Sequence, residues 1–210
     1  MASARRQSPR IEALRPLAAD PNAVEVRVRG TTVATLPRVR AEELRIREGA
    51  AWTPALAARA SRAAAAALAR EAALGLLARQ GRSAAGLRQR LERAGHSAEA
   101  AREAVRSLVE DGWIDDRAFA AARTEQHRRK GPLPAEALEE LLRRDGIEAR
   151  DAQDAAEHGA ATDAELRSVA RAARAEGQPA SRVAARLARR GFDPDTIREV
   201  LERAGYDLDA

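Results

Sequence analysis

The chain has 210 residues and a formal net charge of +5; 45% of its residues are apolar, only 2% are aromatic, and none is cysteine. Disulfides and thiolate metal sites are therefore excluded, and a core built largely from alanine needs many close helix–helix contacts. The opening MASARRQSPR lacks the apolar stretch of a signal peptide, and Arg59 and Arg62 interrupt the Ala-rich run from Pro54 to Ala69. A soluble, cytoplasmic protein without a membrane span is expected.

Residues 1–10 are predicted to form a disordered tail. A small β-containing subdomain is expected over 11–52. There Val24, Val26 and Val28 alternate with Glu25, Arg27 and Arg29, and Gly30 turns the chain into a second run, Thr31 to Leu36. Period-2 alternation of this kind predicts a β-hairpin. The stretch VRAEELRIREG predicts a short helix ahead of Gly49. Thr53 and Pro54 then supply an N-cap and a first-turn proline for a long Ala-rich helix reaching about residue 80. A two- or three-stranded sheet of this size is marginal alone and is expected to pack on the first helical unit.

The remainder reads as a repeat. Three segments, Gly81 to Gly95, Gly131 to Gly146 and Gly177 to Gly191, each carry two apolar residues four apart and a glycine four residues later. The apolar pairs are Leu87/Leu91, Leu138/Leu142 and Val183/Leu187. This is one helix face followed by a glycine stop. Ser83, Pro134 and Pro179 mark the starts, in N-cap or first-turn positions. After each closing glycine another helix begins, with Ser97 and Asp193 as natural N-caps and Pro194 at N1. A further helix precedes each opening glycine. The expected architecture is mainly α, three tandem three-helix repeats in an elongated array, over 53–114, 115–161 and 162–210.

Between the first two repeats runs LVEDGWIDDRAFA, residues 108–120. Paired carboxylates beside a tryptophan raise the question of a metal or acid/base site. Gly112 fits a helix stop, Asp115 an N-cap and Asp116 an N1 position favoured by the helix dipole. Ile114 and Phe119 have the N′/N4 spacing of a hydrophobic staple, and Trp113 is expected to anchor the packing. The stretch reads as a structural joint between repeats. No further carboxylate or histidine is placed to complete a metal site, and His96, His127 and His158 show no ligand spacing. No phosphate-binding glycine loop and no nucleophile–base arrangement is recognisable, so no enzymatic activity, metal or cofactor is expected.

Charge follows the repeat. Residues 79–93 carry five arginines and one acid, 117–130 five basic residues and one acid, and 167–190 seven arginines and one acid. The intervening stretches are acidic, with six acids against two arginines over 99–116 and ten against three over 131–166. One reading is pairing between helices of opposite sign; the other is a line of basic patches suited to an extended polyanion. On the second reading the candidate contacts are Arg82, Arg88, Arg90, Arg128, Arg129, Lys130, Arg182, Arg186, Arg189 and Arg190.

The element GWIDDRAFA, with ARQGRS at 78–83 and RRKG at 128–131, resembles the RecX family of recombination regulators. The N-terminal IEAL, DPNAVEVRVRG and LRIREG resemble an extension many members carry. Gly86 departs from the pattern, standing where an acidic residue is usual, at a cost of about 1 kcal/mol of helix stability. The last helix of the second repeat is unusually rich in alanine, which puts its packing in question. The resemblance implies a three-helix-repeat protein, expected to be a monomer, that binds the RecA recombinase filament along its groove. It further implies inhibition of recombinase and ATPase activities, with single- or double-stranded DNA as a further partner. The alternatives are a stand-alone helical DNA-binding module, which the acidic last helix of each unit disfavours, and a helical scaffold.

Overall fold

The computed structural model describes residues 8–208 and is mainly helical, with one small antiparallel sheet near its start. It divides into two compact units, one built from residues up to Gly81 with Leu87–Trp113, the other from Arg82–Gly86 with Ile114 onward.

In the first unit the sheet has three strands, β1 (Ala13–Leu17), β2 (Asp20–Val28) and β3 (Thr31–Pro37), with β2 central. The alternation legible in β2 does what it predicts, since Val24, Val26 and Val28 all face the core. β1 is not legible in the sequence. Its residues ALRPL include Arg15 and Pro16, none is fully buried, and its pairing shifts register at Pro16/Leu17. Proline and incomplete burial suit an edge strand, which carries little alternation.

The expected tail needs correction at its inner end. Residues 1–7 lie outside the described residues, but the Pro9 carbonyl accepts from Trp52 N–H at 2.7 Å. Arg10 forms a bridge with Ala51 and donates to the Gly49 carbonyl at 2.6 Å. The chain is held from Pro9 onward because its backbone groups find partners at 49–52.

The short helix α1 (Arg38–Glu43) and the long α2 (Pro54–Leu77) follow, and Thr53 Oγ1 accepts from Leu56 N–H as the predicted cap. Ile11, Val26, Leu36, Ala41, Ile46 and Ala60 share one core, so the sheet does pack on α2. On its other side α2 packs along α4 (Ala98–Glu110), where alanines 69 and 73 of one helix and 100, 101 and 104 of the other are buried. Arg70 closes this pair by donating to Asp111 at 2.8 Å and Ser107 at 3.3 Å.

The repeat predicted from spacing is present. α3 (Ala84–Arg93), α6 (Ala135–Arg144) and α9 (Ala180–Arg189) each bury their two apolar residues four apart. Gly95, Gly146 and Gly191 close them at φ of 94°, 82° and 93°, the left-handed geometry such a stop requires. Pro134 and Pro179 sit at the N-cap, one residue before the helix. In the second unit α5 (Asp116–Arg128), α6 and α7 (Ala149–Gly159) form one core, and α8 (Asp163–Ala175), α9 and α10 (Pro194–Arg203) form the next.

α7 packs by being small. Ala152 and Ala156 are fully buried, and Gly159 lies so close to Thr124 of α5 and Leu138 of α6 that a methyl group there would strike both. Its alanine content is what lets the backbone come near.

Candidate interaction surface and the 112–119 segment

Each residue of the 112–119 segment has a definite place. Gly112, at φ 75°, stops α4. Asp115 caps α5, its Oδ1 accepting from Ala118 N–H at 2.9 Å. Ile114 is 5% exposed and Phe119 packs at the edge of the α5–α7 core. Trp113 corrects the expectation: at 62% exposure it anchors nothing, and the buried apolar residue of the pair is Ile114.

Asp116 does more than its N1 position implies. Its Oδ1 accepts from Ala84 N–H at 2.8 Å, so α3 starts on a carboxylate 32 residues downstream. Beside it, Ser83 caps Gly86 N–H at 3.1 Å and donates to the Gly146 carbonyl. A Cβ at Gly146 would stand 3.3 Å from Gly86 Cα, so glycine at 146 permits this close backbone approach, and a Cβ at Gly86 would stand 3.0 Å from Ser83 Oγ. Burial pushes the Asp116 carboxyl above its ordinary range against the Ala84 bond, and Asp151, Glu148 and Asp115 push the same way. No group of acidic or histidine residues able to hold a metal occurs among the described residues.

The ten candidate basic residues separate into two kinds. Arg128 and Arg190 are engaged internally. Arg128 pairs with Glu165 at 2.6 Å, and Arg190 donates to the carbonyls of Gly131 at 2.7 Å and Pro132 at 3.1 Å, just past the end of α5. Arg190 therefore ties the second repeat to the third and is not a free cation. Arg82 is half-buried, with its Nε enclosed and unpartnered. The side chains of Arg88, Arg90, Arg129, Lys130, Arg182, Arg186 and Arg189 have no hydrogen bond or ion pair among the described residues. Arg182, Arg186 and Arg189 lie on one face of α9, which carries no acid to answer them.

One charged cluster escaped the sequence. Asp145, at the end of α6, accepts two bonds from Arg123, at 2.8 and 2.7 Å, and lies 2.8 Å from His127 Nε2. Burial raises its carboxyl, but the bonds and charges of Arg123 and His127 outweigh that and hold it below the ordinary range. Arg123 and His127 are four apart on α5, the only local sign of the arrangement.

The fold and its repeated caps define a class: a tandem three-helix-repeat protein with a small β extension. A family model for RecX, the first three-helix domain, matches residues 69–108. The chain shares its fold with solved RecX structures. It is similar to a crystal structure of regulatory protein RecX, with a TM-score of 0.70 and 19% identity over 92% of this chain and 98% of that one. It is also similar to RecX from Lactobacillus salivarius, with a TM-score of 0.55 and 19% identity over 67% of this chain and 96% of that one. No curated protein matches it by sequence. No helix among the described residues is long and apolar enough to cross a membrane.

Proposed function

We propose that this chain is a non-enzymatic regulator that binds RecA–DNA filaments along their groove and damps recombinase and ATPase activity. Likeness to RecX carries the reading: the RecX family model falls on the first repeat, and the fold of a regulatory RecX extends over nearly the whole chain. The α9 arginines support a polyanion contact, since three guanidiniums on one face without internal partners suit a phosphate backbone.

The test is RecA ATPase on single-stranded DNA at substoichiometric amounts of this protein. Inhibition is expected, weakened about tenfold (about 1.4 kcal/mol) in Arg182→Gln/Arg186→Gln/Arg189→Gln with the fold unchanged. No effect from folded, monodisperse protein would end the filament reading. The same arginines leave room for a stand-alone DNA-binding module. Tight, sequence-selective duplex binding without RecA would favour that module, and weak, strongly salt-dependent binding would favour a backbone contact.

A further inference from the structure

The third repeat departs from the other two on one face. In the register set by Leu87, Leu138 and Val183, the positions one, two and five residues on are Arg88, Gln89 and Glu92 in α3, and Glu139, Glu140 and Arg143 in α6. The same positions of α9 are Ala184, Ala185 and Ala188. A last repeat needs a polar outer face to stay soluble, and on α9 that polarity rests on Arg182, Arg186 and Arg189 while these three positions are apolar.

These alanines form one wall of a groove of about 700 Å³ between α9 and α10. Its floor comes from Phe192, Ile197 and Leu201, and Leu208 lies at its end, 37% exposed. The rims are cationic. Arg198 lines the α10 side, and Arg182 and Arg189 stand one turn before and one turn after Ala185 along α9; none of their side chains has an ion pair or hydrogen bond among the described residues. Asp207, the one carboxylate lining the groove, has a partner of its own.

We infer that this groove docks an acidic amphipathic helix presented by a protein partner. An alanine wall permits the close, roughly 8–10 Å helix–helix spacing that larger side chains prevent. The apolar floor takes the helix's apolar stripe, and carboxylates on its flanks answer Arg182, Arg189 and Arg198. The cationic rims that select such a helix also oppose a second copy bringing the same arginines to the same place. A nucleic-acid strand would satisfy the rims but leave the apolar floor unfilled. Docking of this kind is a property of the α9–α10 groove alone and does not depend on the filament reading.

The probe is a synthetic helix-forming peptide of about five turns with leucines along one face and glutamates flanking them, labelled for fluorescence anisotropy against the full chain. Saturable binding is expected, with a scrambled peptide of equal composition at least tenfold weaker. Ala188→Glu, an exposed helix position, should weaken binding at least tenfold while circular dichroism stays unchanged. Arg189→Glu/Arg198→Glu should weaken it similarly and lessen its salt dependence. Equal binding of the scrambled peptide, or indifference to Ala188→Glu, would overturn the inference. So would concentration-dependent dimerisation abolished by Ala188→Glu, which would assign the face to a second copy. Displacement of the peptide by single-stranded DNA that itself needs Ala188 would assign it to nucleic acid and overturn it as well.

Discussion

Asp115 and Asp116 are neighbours with different tasks, and the difference is measurable. Asp115 satisfies an amide within its own helix, so Asp115→Ala should cost about 1 kcal/mol in urea unfolding, as loss of a cap does. Asp116 reaches Ala84, and its carboxyl is raised by burial and by Asp151, Glu148 and Asp115. A folded-state value above the unfolded one means that the contribution to stability is full below the ordinary carboxylate range. It is lost as pH rises through the folded value. Asp116→Asn keeps an acceptor for Ala84 and removes the charge. Its stability relative to the parent should improve between about pH 3 and pH 7, read by thermal unfolding at both.

Among elements, α5, α6 and α7 show how an alanine-rich helix contributes through proximity. Gly159→Ala raises helix propensity but drives a methyl into Thr124 and Leu138. The overpacking should win, with a net loss of about 1–3 kcal/mol in chemical denaturation. Asp145 fastens the end of α6 to α5 through Arg123 and His127. Its carboxyl is held below the ordinary range, so its stabilisation is present above the unfolded value and lost as pH falls through the folded one. Asp145→Ala should cost about 2 kcal/mol at neutral pH. The gap from the parent should shrink at about pH 3 and below, which unfolding curves across pH will register.

For the whole molecule, net charge says less than which charges are already engaged. The +5 total is modest. Internal pairing removes Arg128 and Arg190 from the basic blocks and leaves α9 as a helix with an unanswered cationic face. Replacing Arg182, Arg186 and Arg189 by glutamine should lower the log–log salt slope of single-stranded DNA affinity by about 2, because each phosphate neutralised on a single strand contributes about 0.7 to it. An unchanged slope would place the phosphate-binding groups on other residues.

Sequence alone determined the helix boundaries and the threefold repeat. Caps, stop glycines and four-residue apolar pairs act within a few positions, so Thr53, Ser97, Asp115, Asp193 and the closing glycines could be read directly. It also determined the buried face of β2, where alternation is a local property. Only the tertiary structure decided matters that join residues tens of positions apart. It supplied β1 as a third strand, exposed Trp113 in favour of Ile114, and turned Asp116 towards Ala84. It also set Gly86 against Gly146 and tied Arg190 to the carbonyls beyond α5. The physical reason is range: a helix cap is completed by its own next turn, whereas the accessibility of a tryptophan or the freedom of an arginine depends on which distant backbone arrives beside it.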